Sequence, residues 1–189
     1  GIICATQYLA KEIKKFNTNT HVAPNCINKI QWNVKNNKIS KELDIFRLGY
    51  VGAAGHDNDL KLIYKSVLKI LKENHDIRFI VRSGGFKPTW FKDHPQIDFK
   101  CVGWALSEYP QKIKDLNIDL AVAPIRDTTF NRCKSNLKWI EWSSMGVPLL
   151  ASDVEPYKNT KGTIFLTSND EFQWYKNINN TIFRSSIIT

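Results

Sequence analysis

The stretch Asn131–Asp153, NRCKSNLKWIEWSSMGVPLLASD, decides how this chain is read. It divides into a polar loop, a helix and a short buried strand. Pro124 closes the strand before this unit, and Pro148 lies in the turn after its helix. Ser135 and Asn136 stand where the helix should begin, and both residue types cap helix starts well. Lys138 and Glu141 share one helix face about one turn apart. A helix mouth with free N–H groups, a capping hydroxyl and a nearby ammonium seats a phosphate. A carboxylate one turn further in can accept hydrogen bonds from sugar hydroxyls, so the pair points to a nucleoside-diphosphate site. A Lys and a Glu at this spacing are also commonly a solvated surface pair. Here Leu137, Ile140 and Met145 form a core-facing stripe flanked by Trp139 and Trp142, which holds the charged pair near the buried side.

Outward from this unit, strands and helices alternate. Towards the N-terminus, Ile2–Ala5 reads as a strand, Tyr8, Leu9, Ile13 and Phe16 fall at helical spacing, and His21–Ala23 is a second short strand. Residues 29–44, rich in Asn and Lys, form a linker. Phe46–Val51 is the first strong strand, and Leu60, Ile63, Tyr64, Val67, Leu68 and Leu71 define a helix capped by Asp57 or Asn58. Ile77–Val81 and Ile97–Val102 are strands. Ser107 caps a helix carrying Pro110, Ile113 and Leu116. Asp119–Ala123 is a buried strand, and Val147–Ala151 and Ile164–Leu166 follow the motif helix, with a last helix over Asp170–Ile182. Continuous apolar strands separated by helices predict an α/β fold, a doubly wound, Rossmann-like parallel sheet with helices on both faces.

In such sheets ligands sit beyond the carboxyl ends of the strands. The loops there contain Gly52, Ala53, Gly55 and His56; Arg82, Gly84 and Gly85; Gly103 and Trp104; and Arg126. Glycine admits a ligand close to the backbone, the basic groups suit phosphate, and Trp104 could stack on a base. The glycines after the first strong strand are not spaced as GxGxxG, and no Walker lysine follows a glycine-rich loop, which disfavours dehydrogenases and P-loop enzymes.

The 189 residues fit one domain, or one domain with an extra arm, and 42% hydrophobic content supports a real core. The net charge of +9 suits anionic partners, but the lysines are scattered. No dedicated nucleic-acid motif accompanies them, and peripheral association with an anionic membrane through the basic surface stays open. Cys4, Cys26, Cys101 and Cys133 show no CxxC and no Cys/His pairing, so neither a metal site nor a disulfide framework is expected. Cys4 and Cys101 read as core thiols, and a reducing, cytoplasmic setting follows. There is no apolar run of the length a bilayer requires.

The residues now assembled resemble the C-terminal, nucleotide-sugar-binding half of GT-B-fold glycosyltransferases of the group 1, family 4-like class. Ser135-x-x-Lys138-x-x-Glu141 followed by Gly146-Val147-Pro148-Leu149-Leu150 is similar to that family's K-x-x-E-x-x-x-x-G-x-P-V-V signature. Val22-Ala23-Pro24-Asn25 resembles its turn into the interdomain linker, Arg47–Gly52 its first C-terminal strand, and Val102-Gly103-Trp104 its loop near the base. The resemblance implies three parts: residues 1–28 as the end of an N-terminal domain, 29–44 as linker, and 45–189 as the donor-binding domain. It implies transfer of a sugar from a nucleoside diphosphate, UDP or GDP, to an unknown acceptor, with the rest of the N-terminal domain needed for turnover. Glu141 would grip the ribose, and Ser135, Asn136 and Lys138 the diphosphate. Gly52, Ala53 and His56 would approach the donor sugar and phosphates, with Arg82, Arg126 and Lys134 as further cations. His56 and Lys138 are the candidate catalytic groups, and neither a metal nor a cofactor beyond the donor is implied. Two features depart from the family: Cys133 stands where many members carry an earlier glutamate, and His56, Asp57 and Asp59 replace an Arg/Lys pair. The alternative they favour is a non-catalytic nucleotide- or partner-binding α/β module.

Overall fold

The computed structural model describes residues 1–33, 45–53, 55–85, 87–160, 162 and 164–187. The main sheet has six parallel strands: β3 (Phe46–Gly52), β4 (Ile77–Ser83), β5 (Ile97–Cys101), β6 (Leu120–Ala123), β7 (Leu149–Ser152) and β8 (Ile164–Thr167). Their order is β5-β4-β3-β6-β7-β8. The chain winds outward from β3 to one edge, returns to β6 beside it, and winds to the other edge. The winding direction therefore reverses between β3 and β6, where Leu48 pairs with Leu120 and Gly49 with Ala121.

Alternate residues of the same strands feed two cores, because successive side chains of a strand leave opposite faces. Leu48, Phe79, Val81, Leu120, Val122 and Leu150 pack with α2 (Asp57–Glu73) and α6 (Glu171–Ile187), whose Trp174 and Ile178 are fully buried. Ile80, Ala121, Ala123, Leu149 and Ala151 pack on the other face with α3 (Tyr109–Lys114) and α5 (Leu137–Ser144). Gly49 is required by this second face: a Cβ there would lie 2.6 Å from Ile118.

A smaller unit precedes the sheet. Strand β1 (Ile2–Cys4) pairs in parallel with β2 (Thr20–Val22), and α1 (Gln7–Ile13) joins them. Thr6 caps α1 by accepting from the Leu9 N–H at 3.1 Å. The same hydroxyl donates to the Cys133 carbonyl at 3.1 Å, and the Asn25 amide donates to Ser135 Oγ at 2.7 Å. These two bonds seat the unit on the loop before α5.

Several local expectations are corrected. Phe16 lies beyond α1 and is exposed. His56, not Asp57 or Asn58, is the N-cap of α2, and Glu108, not Ser107, precedes α3, which ends before Leu116. The expected polar loop contains a one-turn helix, α4 (Thr129–Arg132), capped by Thr128. Of the expected stripe on α5, Leu137 and Ile140 are half-buried; the buried residues of the helix are Glu141 and Trp142, and Met145 is buried at its C-cap. Cys101 is exposed, since β5 is an edge strand that only one neighbour covers. Of the 29–44 linker, residues 29–32 form turns and 34–44 lie outside the described residues. Among the described residues, no helix is long and apolar enough to cross a membrane, and no group of three or more His, Cys, Asp or Glu could hold a metal.

Candidate functional site

A cleft of about 340 Å³ opens at the carboxyl end of the sheet where the winding reverses. Its walls come from four places: His56 and Asp59 after β3, Pro124 and Ile125 after β6, Cys133–Ser135 with Leu137 and Lys138 at the start of α5, and Ala5 and Asn25 of the N-terminal unit. Tyr50 and Tyr157 form its floor. This is the position at which an open α/β sheet leaves a crevice, because the loops on either side of the reversal diverge.

Lys138 crosses the cleft. Its ammonium donates to the Val51 carbonyl at the end of β3 and lies 4.9 Å above the centre of the Tyr50 ring. Lys138 is half-buried as a residue, and its ammonium is largely desolvated. That desolvation lowers its pKa from 10.5 to about 8, with the Glu141 carboxylate acting in the opposite sense. Tyr50, beneath it, is buried, and desolvation raises its phenol well above the usual range. Gly52 serves this floor: a Cβ there would lie 2.6 Å from the Tyr50 hydroxyl.

The start of α5 has no side-chain cap. Asn136 occupies the N-cap position, yet its amide donates to Thr160 Oγ1 at 3.3 Å, and Ser135 is engaged by Asn25. The leading N–H groups of the helix therefore keep the partial positive charge that an Asx or hydroxyl cap would offset.

Glu141 lies one turn in, 8% exposed, and accepts from the Tyr109 hydroxyl at 3.3 Å. Desolvation raises its pKa, while Lys138 and the Tyr109 bond act to lower it. Tyr109 also meets Trp104 (ring centroids 6.1 Å apart) and Trp32 (6.2 Å). Glu141 thus stands behind the cleft, beside an aromatic group built from α3, the loop after β5 and the start of the linker. Trp32 and Gln31, whose amide donates to the Leu106 carbonyl at 2.7 Å, carry no signal in the sequence that would assign them here.

Of the residues singled out in the sequence, the cleft brings together His56, Lys134, Ser135 and Lys138. Asn136, Gly52 and Ala53 sit beside it; Gly103 and Trp104 belong with Tyr109. Arg82 is elsewhere: buried, it donates to the Asp98 carboxylate at 2.6 Å and to two carbonyls, tying β4 to β5. Arg126 reaches the site by both parts: its N–H donates to Asp59 at 2.9 Å, and its half-exposed guanidinium lies 3.5 Å from the same carboxylate oxygen. Asp59, read in the sequence only as a departure, is 4% exposed and lies among His56, Arg126 and Lys134. A charged residue on the core face of α2 was the available signal for it.

No protein-family model and no curated protein sequence matches the chain. Solved structures do. A UDP-forming α,α-trehalose-phosphate synthase from Burkholderia vietnamiensis superposes with a TM-score of 0.68 at 10% identity, over 95% of this chain and 51% of its own. Sucrose-phosphate synthase from Thermosynechococcus elongatus gives 0.65 at 13% identity, over 95% of this chain and 48% of its own. The C-terminal domain of a group 1 family glycosyl transferase from Francisella tularensis gives 0.55 at 14% identity, over 86% of each. The chain spans about half the length of the two synthases. Its α/β fold is that of the C-terminal half of GT-B glycosyltransferases.

Proposed function

We propose that the chain is the donor-binding part of a glycosyltransferase, taking a nucleoside-diphosphate sugar in the cleft between β3, β6 and α5. The observation that carries this is the convergence of an uncapped eight-residue helix start with the Lys138 and Lys134 ammonium groups at the reversal point of the sheet. The diphosphate sits against the first N–H groups of α5 and Lys138. Glu141 meets the ribose and Trp104 the base side, while the sugar extends towards His56. Catalysis in such a site is electrostatic: positive groups and the helix dipole stabilise charge on the departing diphosphate. The leaving diphosphate takes the bonding electrons of the anomeric C–O bond as the acceptor hydroxyl oxygen bonds to that carbon, and the hydroxyl proton passes to the departing phosphate oxygen or to solvent. Turnover needs an acceptor-binding domain in addition to these residues.

Two further observations agree with this assignment. The fold is shared with a trehalose-phosphate synthase described as UDP-forming, and the basic surface favours anionic ligands. Calorimetric titration with UDP, GDP and their sugar conjugates tests it. Binding that is lost in Lys138→Met supports the site. Absence of binding by every nucleotide at millimolar concentration leaves the non-catalytic partner-binding module in its place.

A further inference from the structure

Asp59 is a buried carboxylate at the reversal point of the sheet, and its oxygens are divided between two tasks. Oδ1 faces the loop after β6: it accepts from the Arg126 N–H at 2.9 Å and from the Asn131 amide at 3.3 Å, and Arg126 Nε lies 3.5 Å away. Asn131 is itself buried and donates to the Arg126 carbonyl at 2.8 Å, which closes this side. Oδ2 faces the cleft, 3.1 Å from His56 Nδ1 and 3.9 Å from Lys134 Nζ. Lys134 Nζ lies 3.4 Å from the same ring nitrogen.

Of the two groups at Nδ1, the Asp59 carboxylate at 3.1 Å is nearer than the Lys134 ammonium at 3.4 Å, and the shorter contact guides the placement of the imidazole proton. The His56 bond and the Arg126 N–H hold the Asp59 carboxyl below its ordinary range against the opposing effect of burial, so Oδ2 is an acceptor. A lone pair on Nδ1 facing that oxygen at 3.1 Å would be repulsive, so Nδ1 carries the hydrogen and donates it. The lone pair of the neutral ring is then on Nε2, at the far side of a residue that lines the cleft. Among the described residues Nε2 has no hydrogen-bond partner.

We infer that Asp59 is the positioning residue of this site: it sets His56 in the Nδ1–H form so that Nε2 is presented to a hydroxyl of the bound sugar, and it holds Lys134 alongside. On the donor-site reading above, this gives the cleft a recognition element for the sugar that is separate from its nucleotide contacts. Asp59→Asn reverses the arrangement. Its single carbonyl oxygen must still serve the Arg126 N–H and Asn131, so its NH₂ turns to His56, Nδ1 becomes an acceptor, and the proton moves to Nε2.

The test combines ring-nitrogen NMR with binding. Long-range ¹H–¹⁵N spectra of the whole chain, recorded well above the ordinary histidine range, should show His56 as the Nδ1–H form, and as Nε2–H in Asp59→Asn. Titrations compare UDP with UDP-glucose, UDP-galactose and UDP-N-acetylglucosamine, and GDP with GDP-mannose and GDP-fucose. Asp59→Asn should weaken the preferred sugar conjugate by about tenfold while leaving the bare diphosphate within about threefold. His56→Leu repeats the comparison without touching the Arg126 clamp, should Asp59→Asn fail to fold. A nucleotide that binds while wild-type His56 is in the Nε2–H form, or while sugar conjugates gain nothing over the diphosphate or lose nothing in the variants, overturns the role of Asp59 alone. If no nucleotide binds, the donor site is lost and this inference with it.

Discussion

The loops after β3 and β6 and the loops after β4 and β5 look alike in sequence, since both pairs carry a glycine run and an arginine at the carboxyl end of apolar strands. In the folded chain they differ. The first pair flanks the reversal of winding and opens onto the cleft with α5. The second pair lies on one side of the reversal, so its loops turn the same way, and Arg82 is consumed in joining β4 to the edge strand. A basic residue at a strand end is therefore a ligand-binding group only where neighbouring loops part. Elsewhere it satisfies backbone carbonyls and a carboxylate.

The contrast is broken most directly at Lys138. Lys138→Met should weaken nucleotide binding about 10- to 100-fold, the scale of a charge-assisted hydrogen bond in a desolvated site; isothermal titration measures it, and an unchanged Kd would place the anion elsewhere. Arg82→Ala should do the converse. It leaves the Asp98 carboxylate without its buried partner and should cost about 2 kcal/mol of stability in urea unfolding, below the cost of a fully enclosed pair because Asp98 is 40% exposed. Nucleotide affinity should not change, and a matching loss of binding would join the two regions after all.

Titration sharpens the same comparison. With the Lys138 ammonium lowered to about 8, raising the pH from 7 to 9 should reduce diphosphate affinity by about tenfold as that charge is lost. The stability effect has the opposite sign. Between about 8 and 10.5 the unfolded chain holds a proton on this lysine that the folded chain has released, so this group makes stability rise with pH. Lys138→Met should flatten both trends. The smallest effect is expected at Arg126, whose backbone N–H survives substitution and whose ion pair with Asp59 is half-exposed: Arg126→Ala should alter nucleotide affinity by less than about threefold, and a larger loss would give its guanidinium a direct contact with the ligand.

Much of the fold was legible because apolar runs reflect burial on both faces of a parallel sheet. Phe46–Val51, Ile77–Val81 and Leu120–Ala123 could hardly be anything but interior strands, and the helical face of α2 follows from the spacing of Leu60, Ile63, Val67 and Leu71. Helix starts were less legible. Ser135 and Asn136 suit the N-cap chemically, but their side chains are drawn to Asn25 and Thr160, residues distant in sequence. Cys101 and Phe16 misled for a related reason: an apolar side chain records no information about whether its element ends at an edge.

What the sequence determined by itself is the order of elements, the parallel sheet and the presence of Lys138 and Glu141 on one turn of a helix, since all of these depend on periodicity and local spacing. Only the tertiary structure decided that Lys138 enters a cleft, that Glu141 faces Tyr109, that Arg82 is a tie between strands and that Asp59 gathers His56, Lys134 and the Arg126 amide. Those assignments depend on which loops meet across the sheet. Strand order and packing set that, and neither is written in the spacing of residues along the chain.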